Sequence, residues 1–172
     1  NTLFTMTGST LSNNTVTSTG GGLGGGLYIT GVNGTGTGSI TNCLITGNSM
    51  PNASNSRGGG IYKVAVDPLT ITNTVLSGNS AQSFGGAIYS GNSGELTLND
   101  VTISGNSASA GNGGGIFRTA SSGIINLNNT LVANNTGGDL VRATTSPTPS
   151  IDRRRGRGAR RAVRAARCCG SS

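Results

Sequence analysis

Short runs of alternating apolar and polar residues recur along the chain. Leu69-Thr70-Ile71-Thr72, Leu96-Thr97-Leu98-Asn99 and Ile125-Asn126-Leu127-Asn128 each alternate with period two, the pattern of a strand with one buried and one wet face. Each is followed by a second short run: Val75-Leu76-Ser77, Val101-Thr102-Ile103 or Leu131-Val132, ending at Gly-Asn or Asn-Asn. A third strand follows a glycine phrase. Gly24-Gly25-Gly26-Leu27-Tyr28 returns as Gly58-Gly59-Gly60-Ile61-Tyr62, as Gly85-Gly86-Ala87-Ile88-Tyr89 and as Gly113-Gly114-Gly115-Ile116-Phe117. No apolar run has helical spacing.

The intervals between these phrases set the architecture. Asn42-Cys43-Leu44-Ile45-Thr46-Gly47-Asn48-Ser49 recurs over 73–80, 100–107 and 129–136. Its first position falls at Asn14, Asn42, Asn73, Asp100 and Asn129, in steps of 28, 31, 27 and 29. A near-constant period in this range marks a repeat fold. Three short strands per period, with nothing helical between them, predict one all-β domain, a right-handed parallel β-helix (solenoid). About five turns of ~28 residues, with strands ~4.8 Å apart, give a rod near 24 Å long.

The alignment then predicts columns. Leu27, Ile61, Ile88 and Ile116 form one inward ladder; Ile40, Ile71, Leu98 and Leu127 a second; Ile45, Leu76, Ile103 and Val132 a third. Asn48, Asn79, Asn106 and Asn135 form a structural ladder at a turn. Their amides can hydrogen-bond along the stack, and asparagine tolerates the left-handed backbone expected there. Tyr28, Tyr62, Tyr89 and Phe117 stack as rungs that stabilise the sheet, or serve as a surface strip for binding glycans if exposed.

Composition changes this picture little until the C-terminus. Only 17 of the 172 residues are charged and six are aromatic, which in an aperiodic chain would suggest disorder; here the residues are in register. Four basic and four acidic groups balance over residues 1–142. The net charge of +7 comes from 143–172, where eight arginines face only Asp152. The expected organisation is therefore a β-helix domain over 1–142, a fragment of a longer solenoid, and a disordered tail over 143–172. That tail begins with a Thr/Ser/Pro linker and continues into Arg, Ala and Gly without lysine. It reads first as a frame-shift artefact and second as a solvated tail. With no aromatics to stack on bases, no nucleic acid partner is expected. Cys43 reads as a small buried hydrophobe within a core-facing strand, and Cys168-Cys169 suggest neither disulfide framework nor metal spacing.

Candidate chemistry is sparse. The chain has no histidine, the commonest general base and metal ligand. Asp67, Glu95, Asp100 and Asp139 occupy unrelated repeat positions, whereas glycoside hydrolysis needs two carboxylates at one bond and calcium needs several at one ion. No catalytic residue, cofactor or metal is expected. The outward positions Ser39, Thr41, Thr70, Thr72, Thr97, Asn99, Asn126 and Asn128 form a flat polar array, read as a solvated strand face, with ice binding as the alternative.

Gly85-Gly86-Ala87-Ile88, together with an apolar residue three before asparagine (Ile45 to Asn48, Leu76 to Asn79, Ile103 to Asn106, Val132 to Asn135), resembles the polymorphic outer membrane protein repeat. The resemblance covers about residues 10–140 and reaches autotransporter passengers more widely. It implies an extracellular or bacterial outer-membrane segment, serving as a stalk or adhesin-like surface. The implied partners are a host-cell or matrix surface, glycans, and continuing repeats of a parent protein. The rival from another class is a fragment of a polysaccharide lyase or hydrolase.

Overall fold

The glycine and asparagine punctuation breaks the chain into very short strands that no single turn could bury. A computed structural model describes residues 2–31, 35–52, 54–92, 94–109, 111–121 and 123–143. The first turn runs through β1 (Thr2–Thr7), β2 (Thr10–Ser12) and β3 (Leu27–Ile29). The second comprises β4 (Thr37–Thr41), β5 (Leu44–Thr46), β6 (Ser49–Met50) and β7 (Ile61–Lys63). The third follows with β8 (Leu69–Thr72), β9 (Val75–Ser77), β10 (Ser80–Ala81) and β11 (Ile88–Ser90). The fourth holds β12 (Leu96–Asn99), β13 (Thr102–Ser104) and β14 (Ile116–Arg118), the fifth β15 (Ile125–Asn128), β16 (Leu131–Ala133) and β17 (Leu140–Arg142).

Equivalent strands pair in parallel from turn to turn. They build three five-stranded sheets, β1-β4-β8-β12-β15, β2-β5-β9-β13-β16 and β3-β7-β11-β14-β17, with β6 and β10 as a small fourth sheet. The molecule is a right-handed parallel β-helix, all-β, with no helix among the described residues. Leu27, Ile61, Ile88, Ile116 and Leu140 are aligned rung on rung. Ile40, Ile71 and Leu98 are fully buried beside Ile45, Leu76 and Ile103 in one continuous apolar core. Leu127, expected inward, is in register under Leu98 but 39% exposed: it belongs to the fifth turn, and no described turn covers it.

Two single-residue bends recur where the backbone turns left-handed. One separates the first and second sheets at Gly8, Asn42, Asn73, Asp100 and Asn129; the other follows the second sheet at Asn13, Gly47, Gly78, Gly105 and Asn134. These φ values, 45–66°, favour Gly, Asn and Asp over other residues. The second set corrects the expectation for the asparagine column. The left-handed residue is the one before Asn48, Asn79, Asn106 and Asn135.

The bends also correct the alignment of the first turn. Thr10 pairs with Leu44, so the counterpart of Asn42 is Gly8, and Asn14 is the counterpart of Asn48, 34 residues away. The first turn is thus the longest. Cys43 lies in the bend between β4 and β5 rather than within a strand. It is buried as expected, and its thiol donates to the Thr41 carbonyl at 3.2 Å.

The middle glycine of each phrase is the same in every turn for a steric reason. A Cβ at Gly25, Gly59 or Gly86 would overlap the carbonyl oxygen of Gly59, Gly86 or Gly114 in the next turn. Side chains there would push the turns apart. The tail lies outside the described residues apart from Ala143, whose N–H donates to the Arg118 carbonyl at 2.8 Å, so the ladder extends one residue past the expected boundary.

Candidate functional site

The asparagine column is an interior hydrogen-bonded ladder, and Asn48, Asn79 and Asn106 are buried. Asn48 Oδ1 accepts from the Asn14 backbone N–H and from Asn14 Nδ2. The same pair of bonds runs from Asn48 to Asn79 Oδ1 at 3.1 and 2.9 Å, and from Asn79 to Asn106 Oδ1 at 2.9 and 2.9 Å. It continues from Asn106 to Asn135 Oδ1 at 3.0 and 2.9 Å. Each amide also donates to a strand carbonyl such as Ile45 or Leu76. Asn14 is a rung that the sequence alignment missed. Its signal was present, because Leu11 stands three residues before it as Ile45 stands before Asn48.

The aromatic column stacks with ring centroids 5.2 Å (Tyr28–Tyr62), 5.0 Å (Tyr62–Tyr89) and 5.5 Å (Tyr89–Phe117). It is no open strip. Tyr62, Tyr89 and Phe117 are buried against Val64, Phe84 and Val141, and the Arg57 guanidinium lies 5.5 Å over the Tyr89 ring centroid. Burial pushes the Tyr89 hydroxyl pKa up, while Arg57 opposes and Tyr62 adds to the rise. Loops between the second and third sheets fold over the outward rings, which strand alternation alone could not reveal. Tyr28 alone stays open, 49% exposed, beside a shallow cavity of about 150 Å³ lined by Phe4, Leu27, Ile29 and Thr30.

The ionisable groups are tied into the stack one by one. Lys63 is fully buried, in a slot held by Ile29 and Ser90 in the adjoining turns and by Arg118 one turn further on. Its ammonium donates to the Ala65 carbonyl at 2.8 Å and the Gly94 carbonyl at 3.1 Å. Burial lowers its pKa to about 8, with the nearby Asp67 charge opposing the drop. Asp67, also buried, accepts from the Gly36 N–H at 2.7 Å. Glu95 accepts from Thr97 and Asn126, Asp100 from Asn129, and Asp139 from Asn135. Arg118, in register with Arg142, has its pKa lowered by burial and by that neighbouring charge. Among the described residues, no three His, Cys, Asp or Glu side chains gather to hold a metal.

The flat polar face is built as the alternation predicts. Ser39, Thr70, Thr97 and Asn126 align in one row, and Thr41, Thr72, Asn99 and Asn128 in the next. Neighbours bond along the face, as in Asn128 to Asn99 at 2.8 Å.

Residues 73–91 and 100–117 match the Chlamydia polymorphic membrane protein repeat. The two matches fall in the third and fourth turns. Each matched segment opens on a left-handed bend (Asn73, Asp100), passes a ladder rung (Asn79, Asn106) and reaches the glycine phrase with its aromatic (Tyr89, Phe117). The resemblance carried by Gly85-Gly86-Ala87-Ile88 falls inside the first. Each matched segment thus spans the second- and third-sheet strands of a turn and leaves out its first-sheet strand. No curated protein and no solved structure matches the chain.

Proposed function

We propose that this chain is a non-catalytic, surface-exposed β-helix segment that acts as a stalk or adhesive surface outside the cell or on a bacterial outer membrane. The repeat match supports a surface-exposed polymorphic membrane protein segment. The observation that carries the non-catalytic reading is the disposition of the carboxylates. Asp67, Glu95, Asp100 and Asp139 each accept a hydrogen bond from the stack, at four separate corners and faces. No two share a bond or a metal, as hydrolysis or calcium-assisted elimination requires. A product-release assay on pectin-like, glucan and chitin substrates, with and without calcium, is expected to show no turnover. Activity abolished by Asp67→Asn or Asp100→Asn would establish the polysaccharide-active enzyme instead.

A glycan-binding role has one observation in its favour, the exposed Tyr28 ring beside its shallow cavity. An aromatic face of this kind stacks on sugar rings. Binding to a glycan array that Tyr28→Ala abolishes and Phe117→Leu leaves intact would assign adhesion to this end of the rod. Binding unaffected by Tyr28→Ala would place it on the polar face.

A further inference from the structure

The asparagine ladder has a direction, and among the described residues Asn135 is its last rung. In every inner turn the backbone N–H and Nδ2 of one asparagine donate to Oδ1 of the asparagine in the following turn. Asn135 meets a different acceptor. Its N–H and Nδ2 donate to Asp139 Oδ1, four residues along the same turn, at 3.0 and 2.9 Å. We propose that Asp139 is an end stop for the ladder, its carboxylate standing in the place that the next asparagine amide takes elsewhere.

The repeat position of Asp139 supports this. Gly137-Gly138-Asp139-Leu140 aligns with the glycine phrases, so Asp139 occupies the slot of Gly26, Gly60, Ala87 and Gly115. A Cβ at Gly26, Gly60 or Gly115 would lie 3.0–3.3 Å from Nδ2 of Asn48, Asn79 or Asn135 in the next turn. The slot therefore points at the following rung, and inner turns keep it small. A carboxylate there fills the space of a following amide and pairs the two donors that the amide would have paired. A further turn stacked in the same register, as expected from the sequence, would first have to displace Asp139.

The test uses the full chain and two variants, Asp139→Gly and Asp139→Asn. Glycine is native to this slot in three other turns, so Asp139→Gly should fold. Amide hydrogen exchange is read at Asn135, with Asn106 as the internal reference. Protection of Asn135 should fall about fivefold in Asp139→Gly, the loss expected from one ordinary hydrogen bond, while Asn106 is unchanged. Asp139→Asn keeps an acceptor oxygen in place and should retain most of the protection. Unchanged Asn135 protection in Asp139→Gly overturns the proposal. An equal fall in both variants also overturns it, because it would show that the acceptor position does not matter.

Discussion

Lys63 carries its charge in a place where no neighbouring turn carries one. Its two carbonyl acceptors replace only part of its hydration, so folding opposes protonation. The folded pKa of about 8 lies below the ordinary 10.5, so the unfolded chain binds more protons between these values. Stability should therefore rise with pH across that window, by about 3 kcal/mol in all, the penalty being fully present below pH 8. Urea titrations between pH 7.5 and 9.5 should show roughly 2 kcal/mol of this rise, and Lys63→Met should abolish the slope. The amide ladder makes a second residue-scale prediction. Asn79→Ala removes the acceptor of the Asn48 N–H and of one Nδ2 hydrogen, whose other bond to the Leu11 carbonyl remains, and takes the Nδ2 donor from the Ile45 carbonyl, at a cost of roughly 2–4 kcal/mol. Asn128→Ala removes a single exposed bond to Asn99 and should cost under about 1 kcal/mol in the same denaturation assay.

Strands of three or four residues hold their register through the face they bury. Ile103 is fully buried in the second sheet and its neighbour Thr102 faces out. Ile103→Asn should cost about 2–4 kcal/mol and Thr102→Asn well under about 1 kcal/mol by thermal or chemical melting. Such alternation made the sheets and the inward columns legible, because period two and a repeated glycine phrase together fix which residues stack. The first turn was misaligned for a local reason. Its bend uses Gly8 where later turns use Asn or Asp, so Asn14 passed for the bend residue when it is a ladder rung. The candidate site was less legible. Whether Tyr62 and Tyr89 stay wet depends on Arg57 and Phe84, which lie in connections outside the repeated strands. Burial of Lys63 likewise depends on Gly94 in another turn, where a Cβ would press on the ammonium. Asp139 could be seen in the sequence as a break in the glycine phrase, but its purpose needed the direction of the hydrogen bonds.

As a whole the molecule is quasi-one-dimensional, each turn touching only its neighbours, so a core change should matter according to how many turns flank it. Ile88→Ala, in the central turn and fully buried, should cost about 2–5 kcal/mol. Leu140→Ala, in the same column but 49% exposed in the last turn, should cost under about 1 kcal/mol; calorimetry of the two variants compares them directly. The unequal repeat lengths have a further consequence. The bend from first to second sheet never changes length: Thr7 to Thr10, Thr41 to Leu44, Thr72 to Val75, Asn99 to Thr102 and Asn128 to Leu131 are identical spans. All variation collects at the other two corners, where Ser49 to Arg57 shortens to Ser80 to Phe84 without loss of pairing. Evolution, or a protein engineer, can therefore lengthen or replace those two edges of the rod to display new recognition loops. The third edge works as a fixed spine, in which a single inserted residue would put the second-sheet strand of its own turn out of phase with its neighbours.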